Sequence, residues 1–539
     1  MKVFLNDLDR NRLKEAGMEI AKDTMENIYE ENFNIYKIFT TAEEKINISY
    51  ASAESTGSTI RPSIFINKLK KMFPNLKEMS DTIKKEYEIV NEKVTYEELL
   101  EQISEVNDGK KIENLDTWVN VYQYFENSLK WQKKLKKDIT ALSYTNQPQL
   151  LKKENVTKLY GKTLKTSVSK LETFRACPFS YFMKYGLRIK EKEELKIQSF
   201  DTGSFLHNII DNFFKEMQKE SKGLAELEEE EIKKIVDILV EKELEDNCKY
   251  IFTATVKYKL LVQRLKKIIN KAIKYIIYSL INSDFKVKGT EVEFGEGKKL
   301  KEIQLESKNG IKIILNGKID RVDVSEKTNE KYVRIIDYKS SDKDIDFNKV
   351  YMGLQIQLIT YLDAIDNQEQ YIPAGIFYFP LIEKIIGAKK KITEEEIEKE
   401  IAKKFRMQGV ILNLVDAIKM QDRTLVKNKS NIIPAGLLAS GDLSERLTAN
   451  GVDLEEFYVL RKYALKTIKD IADEILEGVI EIKPFKKGQT IPCTYCDYKD
   501  ICGFDIKKEN NSYRNVGNKS KDDILANMKN ELEKTNNNS

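Results

Sequence analysis

Histidine is almost missing from this chain: His207 is the single one among 539 residues. If the protein uses a neutral imidazole as a ligand, that side chain supplies it. Cysteine is scarce as well, with five, at positions 177, 248, 493, 496 and 502. So few in so long a chain, behind the charged opening MKVFLNDLDRNRLKE rather than a secretory signal pattern, argue against a disulfide framework. No apolar run approaches the length of a membrane span, so the expectation is a soluble cytoplasmic protein. Charge of one sign is lacking too. The 91 basic and 87 acidic side chains leave a net charge of +4, too even to argue for nucleic acid by itself. A phosphate-binding loop is also missing: Gly161-Lys162-Thr163 resembles the end of one, but Val156 stands where its first glycine is required. What remains is a chain of ordinary core-forming capacity, 41% hydrophobic, long enough for roughly two to four domains.

Residues 1 to about 165 read as largely helical and lysine-rich, with a strand expected at Ile46 to Ser52. From Ser167 the texture changes. SVSKLETFRACPFSYFMKYGLRI leads into SFDTGSFLHNIIDNFF, an amphipathic helix starting near Thr202, and a charged helical stretch follows from about Glu228 to Ile281. Strands are expected from about Lys286 to Lys339, then a buried helix at Met352 to Ile365 and another strand at Gly375 to Leu381. That order implies a mixed sheet with helical flanks. Further helices are expected at about 393 to 405 and 452 to 478, and the Asn-, Lys- and Ser-rich tail beyond about Lys508 reads as disordered.

Chemistry gathers on two strand-like segments, GKIDRVD (Gly317 to Asp323) and VRIIDYKSS (Val333 to Ser341). Side chains on a strand repeat with period two, so Asp337 and Lys339 share a face. If the two segments pair, Asp320 approaches Asp337; two carboxylates on one face invite a divalent cation, and the neighbouring ammonium can orient a water. Most Asp-x-Lys pairs on strands are nonetheless solvated charges. His207, closing GSFLH, reads alone more readily as a satisfied core or surface group than as a ligand. Gln357 and Tyr361, four apart on one helix face, are either a buried hydrogen-bond network or part of a site. Cys493-x-x-Cys496-x5-Cys502 has metal-ligand spacing, with room for a fourth ligand that Cys177 can supply. Spacing alone leaves structural zinc ahead of an iron–sulfur cluster, and a redox pair behind both. Cys248 reads as an ordinary thiol. Lys389-Lys390-Lys391 is a candidate phosphate patch, although a solvated loop is the commoner meaning of such a run.

Together these motifs resemble the RecB-type nuclease domain of the PD-(D/E)xK superfamily over about Ser167 to Phe504. More narrowly, they resemble the iron–sulfur version at the C-terminus of the AddB family of helicase–nuclease subunits. The family's histidine motif falls on Gly203 to His207 and its first metal aspartate on Asp320. Its Asp-x-Lys falls on Asp337 and Lys339, and its Gln-x-x-x-Tyr on Gln357 and Tyr361. Its cluster ligands fall on Cys177, Cys493, Cys496 and Cys502, and RACPFSYFMKYGL is close to its cysteine–proline segment. SYASAESTGSTIRPS (Ser49 to Ser63) is similar to the end of the helicase-like portion of such subunits, so the chain resembles their C-terminal half.

The resemblance implies an α/β fold: a RecB-type nuclease domain at 166–508 with a central mixed sheet flanked by helices and clasped by a [4Fe–4S] cluster. It is preceded by a mostly helical helicase-like remnant at 1–165 and followed by a disordered tail at 509–539. It further implies a Mg²⁺-dependent exodeoxyribonuclease, with the ion held by His207, Asp320, Asp337 and the backbone carbonyl of Tyr338. Lys339 would position the water or the scissile phosphate, while Gln357 and Tyr361 would steady the DNA backbone or Lys339. The implied partners are single strands from unwound DNA ends and an AddA-like helicase–nuclease subunit in a heterodimer, serving recombinational repair. Two rivals stand beside it: a stand-alone iron–sulfur nuclease like those of CRISPR spacer acquisition, and a non-catalytic DNA-binding scaffold.

Overall fold

The structure is a computed structural model that describes residues 6–537 except 54–58, 80–88, 90, 108, 143–144, 191, 193–198, 220–222, 247–251, 253, 327–329, 370, 383–392 and 507–509. Cys248 and Lys389-Lys390-Lys391 therefore lie outside the described residues. The chain divides into two compact units, Met1–Thr95 and Tyr96–Ser539.

In the first unit, helices Asp7–Glu15 and Thr24–Thr41 begin at capping boxes. In the second of these, Asp23 and Glu26 satisfy each other's backbone N–H groups. The strand expected at Ile46 to Ser52 does not form. Its residues alternate suitably, but apart from an isolated bridge between Ala53 and Thr59 no neighbouring segment pairs there among the described residues, and an unpaired strand has nothing to satisfy its backbone.

The second unit is built on a six-stranded sheet whose spatial order follows the chain: β1 (Lys286–Phe294), β2 (Gly317–Ser325), β3 (Tyr332–Lys339), β4 (Ile372–Pro380), β5 (Gln408–Leu412) and β6 (Gly451–Val452). The β1–β2, β2–β3 and β4–β5 pairs are antiparallel; β3–β4 and β5–β6 are parallel. The parallel pair β3–β4 needs a crossover, and helix α5 (Gln357–Glu369) lies on it. Helices α1 (Val168–Ala176) and α6 (Leu454–Leu476) pack with α5, α7 (Lys521–Asn537) packs against α6, and α2 (Ser199–Lys219), α3 (Glu229–Asp246) and α4 (Val256–Ile281) form the other layer. Side-chain alternation divides the core accordingly: Val333, Ile335 and Ile376 join the α5–α6 cluster, whereas Ile336, Tyr338 and Phe377 join the α2–α4 cluster. Both faces of β3 are covered, so even its charged residues Arg334 and Asp337 are buried.

Packing runs across residue 165, and the expected tail is partly helical. The break near residue 165 falls inside the second unit, because helix Lys153–Tyr160 buries Val156 and the Leu151 N–H donates to the Gly478 carbonyl at 2.9 Å. Residues 521–537, expected to be disordered, form α7, which buries Ile524, Leu525 and Met528 against the core.

Candidate active site

Three carboxylates stand in a row across β1, β2 and β3. The β1–β2 register pairs Thr290 with Arg321 and Val292 with Ile319, which sets Glu291 across from Asp320. The β2–β3 register pairs Arg321 with Ile336, and one step further Asp320 meets Asp337. Asp320 is thus the middle member. Its Oδ2 accepts the Tyr338 N–H at 2.8 Å. Glu291 adopts φ of 48°, a left-handed backbone that costs a non-glycine residue energy and concentrates at functional sites.

His207 reaches this row from α2. Its Nδ1 lies 3.3 Å from Asp320 Oδ2 and 3.8 Å from Glu291 Oε1, and its Nε2 is 3.0 Å from the Tyr338 carbonyl oxygen. His207, Glu291 and Asp320 offer ligand atoms all within 4.8 Å of one another. Lys339 pairs with Asp337, and Lys318 with Glu291. Burial pushes the Asp337 carboxyl up to about 6, aided by the charge of Asp320 and opposed by Lys339. Burial alone would lower the His207 pKa; the carboxylates of Asp320 and Glu291 outweigh it and raise it to about 10. Crowded like charges of this kind, with an imidazole and a carbonyl at the same edge, form a hard-donor set suited to a divalent cation.

Helix α5 closes the site from the other layer. Gln357 Nε2 donates to Tyr361 Oη at 2.6 Å. The Tyr361 hydroxyl is raised by burial and further by the charges of Asp337 and Asp320. The first turn of α5 is held by Glu172 on α1, whose Oε1 accepts the N–H groups of Ile356 at 2.7 Å and Gln357 at 2.9 Å. Desolvation raises this carboxyl to about 7, against the opposing charge of Lys343.

The structure therefore brings His207, Asp320, Asp337, Lys339, Gln357, Tyr361 and the Tyr338 carbonyl to one edge of the sheet. Sequence reasoning missed Glu291 and Glu172. Glu291 sits in the alternating run TEVEF, but only strand register distinguishes it from its neighbour Glu293, which pairs with Lys298. Glu172 gives no local signal, since the N–H groups it caps are 184 and 185 residues away.

Cys177 follows α1, Cys493 lies in the turn Pro492–Tyr495, and Cys502 ends the short helix Lys499–Cys502. All four of Cys177, Cys493, Cys496 and Cys502 are free thiols. Burial pushes Cys493 up to about 11, with the other three thiols adding to it. Three hydrogen bonds tie their segments together: Asn146 Nδ2 to the Cys502 carbonyl at 2.9 Å, Tyr498 Oη to the Ile189 carbonyl at 2.9 Å, and Phe179 N–H to the Glu481 carbonyl at 3.1 Å.

Comparison with known proteins agrees with this geometry. The family model described as the PD-(D/E)XK nuclease superfamily matches residues 165–503, and that of the fifth domain of the ATP-dependent helicase/deoxyribonuclease AddB matches residues 84–140. An ATP-dependent helicase/deoxyribonuclease subunit from Clostridium tetani is 36% identical over 538 residues, 98% of this chain and 46% of that protein. Its counterpart from Caldanaerobacter subterraneus is 37% identical over 527 residues, 96% of this chain and 45% of that protein. The counterpart from Clostridium novyi is 36% identical over 544 residues, 99% of this chain and 47% of that protein. The chain spans about half the length of these curated relatives.

Proposed function

From the premise that the chain belongs to the PD-(D/E)XK nuclease superfamily, we propose that it hydrolyses DNA phosphodiester bonds with Mg²⁺. We further propose that it forms the nuclease-bearing part of an AddB-like subunit. The observation that carries the reading is the row Glu291–Asp320–Asp337, with His207 beside Asp320 and Glu291, the Tyr338 carbonyl against His207, and Lys339 on Asp337.

His207, Asp320, Asp337 and the Tyr338 carbonyl would hold the ion. When bound, it supplies Lewis acidity that eases loss of a proton from the attacking water and offsets the charge that builds on the phosphate. The protein's own groups do the rest. Asp320 accepts the Tyr338 N–H and so fixes the carbonyl that faces His207. Lys339, held by Asp337, presents its ammonium to the phosphate or the water, and α5 fixes its surroundings through Gln357 and Tyr361. Asp337→Ala removes the one acid of β3. Cleavage of single-stranded DNA in Mg²⁺ is expected to fall by about 10²–10³-fold, with the circular dichroism spectrum kept. Wild-type cleavage by this variant, or none by the parent chain, overturns the assignment.

For the cysteines we propose a [4Fe–4S] cluster. What supports this reading is that Cys177, Cys493, Cys496 and Cys502 match the family's cluster ligands, and that the other three thiols lie close enough to Cys493 to add to the rise of its pKa. Anaerobically purified protein is expected to be brown and to carry roughly four iron atoms per chain; colourless protein with one zinc would overturn this. The match of residues 84–140 to an AddB domain outside the nuclease region favours a subunit over a stand-alone nuclease. The proposed setting is a heterodimer with an AddA-like motor that delivers single strands during recombinational repair in the cytoplasm. Co-purification with a large ATPase tests it.

A further inference from the structure

The edge of the sheet that carries Lys339 continues into positive charge that the proposed chemistry leaves unused. The parallel β3–β4 register ends with Lys339 opposite Pro380, and the antiparallel β4–β5 register begins with Tyr378 opposite Gln408. The end of β3, the end of β4 and the start of β5 therefore share one edge. Lys343 lies four residues past Lys339, and Arg406 lies two residues before β5. Lys429, on the short strand Asn428–Lys429, is brought to the same place because the Met407 N–H donates to the Ile432 carbonyl of that hairpin at 3.0 Å.

These cations lack the partners that usually occupy such groups. Lys343, Arg406 and Lys429 form no ion pair among the described residues, whereas Lys339 is taken by Asp337. Arg406 Nε is buried with no hydrogen-bond partner. The Lys343 ammonium sits 4.6 Å from the centroid of the Tyr378 ring, and the Lys339 ammonium 5.9 Å from the same centroid, so both converge on one aromatic side chain. The carboxylate that faces both Arg406 and Lys429 is Asp344, already accepting from the Ile345 N–H at 2.7 Å and Asn450 Nδ2 at 3.2 Å. Burial lowers all three cations; Lys339 lowers Lys343 further and Arg406 lowers Lys429 further, against Glu172 and Asp337 at Lys343 and Asp344 at Arg406 and Lys429. Cations that crowd one another beside carboxylates already committed elsewhere, Asp337 to Lys339, Glu172 to the N–H groups of Ile356 and Gln357, and Asp344 to Ile345 and Asn450, are what a phosphate relieves.

We propose that Lys343, Arg406 and Lys429 form a ledge that binds backbone phosphates of a single DNA strand next to the scissile one, continuing the line that starts at Lys339. The inference rests on the nuclease reading for its ligand but not for its test. Binding of a short fluorescent oligothymidylate to the whole chain, in EDTA so that no cleavage intervenes, is followed between about 50 and 200 mM salt. Each lost single-strand phosphate contact lowers the slope of log affinity against log salt by about 0.7. Lys343→Gln/Arg406→Gln/Lys429→Gln is expected to flatten it by about 2 and to weaken binding at every salt concentration. Lys343→Arg/Arg406→Lys/Lys429→Arg keeps the charges and is expected to keep the slope, which separates charge from damage to the fold. A folded neutralised variant with the parent's slope and affinity overturns the ledge, even where the parent cleaves DNA in Mg²⁺. A ledge-dependent slope in a parent chain that never cleaves upholds the ledge and overturns the nuclease reading alone.

Discussion

At the scale of single residues, the acids at this edge are distinguished by what surrounds them, and Glu172 shows this most clearly. It touches neither the acid row nor His207, yet it holds the first turn of the helix that carries Gln357 and Tyr361. Its carboxyl is raised to about 7, first by desolvation, above the roughly 4.3 of an unfolded glutamate. A raised pKa means the folded protein holds the proton more tightly than the unfolded one. That contribution to stability is complete below about pH 4.3 and is lost as pH rises through about 7. The stability of the parent relative to Glu172→Gln, which stays neutral, should therefore fall by up to about 3 kcal/mol between pH 4.5 and 8. Urea unfolding at several pH values measures it, and parallel curves for the two proteins would contradict the assignment. Glu172→Ala leaves two backbone donors without their acceptor and should cost about 1–3 kcal/mol at any pH.

At the scale of elements, the site depends on where helices begin and where strands register. Gly353 precedes α5 with φ of +74°, and a Cβ there would lie 2.8 Å from Thr467 Cγ2 and 3.0 Å from Arg175 Cγ. Gly353→Ala combines a strained backbone with this crowding and should cost about 1–3 kcal/mol. Because the strain falls at the root of α5, cleavage should fall further than the thermal midpoint alone explains. Equal midpoints and equal rates would show that the turn adapts. Helix α7 gives a second test. Ile524, Leu525 and Met528 are 1%, 5% and 0% exposed, and burying each such side chain contributes about 1.5–3 kcal/mol. Removing residues 521–539 should therefore lower stability by several kcal/mol, whereas a disordered tail could be removed without effect. The elements legible in the sequence were β4, α2 and α6, by a strong period or a long apolar stretch, and β3, by Val333, Ile335 and Ile336 leading to Asp337. The expected start of α5 at Met352 was early because Gly353 turns the chain before the helix forms, and α7 was hidden by its polar majority. The row Glu291–Asp320–Asp337 was legible in two of its three members. The third depends on the irregular register of β1, which shifts between Val287 and Gly289 and so breaks the simple alternation from which a face is read.

At the scale of the whole molecule, the nuclease unit is closed by segments far apart in the chain, and composition carried the sign of this closure only through its rare residues. A single histidine and four of five cysteines all sit at long-range junctions, since these chemistries need convergence and nothing in local periodicity requires them. The buried trio Arg321, Asp323 and Arg334 is the opposite case. Asp323 Oδ2 lies 2.9 Å from Arg334 Nε, and Asp323 Oδ1 lies 2.9 Å from Arg321 Nε. This trio links β2 to β3 from inside the core, and no sequence motif singled it out. The cysteines allow the closure itself to be measured. In the apo protein Cys493 is raised to about 11 by burial and by the three neighbouring thiols, so thiolates form there only with a cationic group to stabilise them. If Cys177 and Cys493 serve one group, losing either ligand already releases most of its stabilisation, and losing both adds little. Denaturant midpoints of Cys177→Ser, Cys493→Ser and the double variant should then be strongly non-additive, with a coupling of about 1–3 kcal/mol. Thiols that merely pack side by side would give two costs that sum to that of the double variant. If the proposed cluster links the two, the same cycle repeated after chelation should lose its coupling, because only two small side chains then remain to be altered.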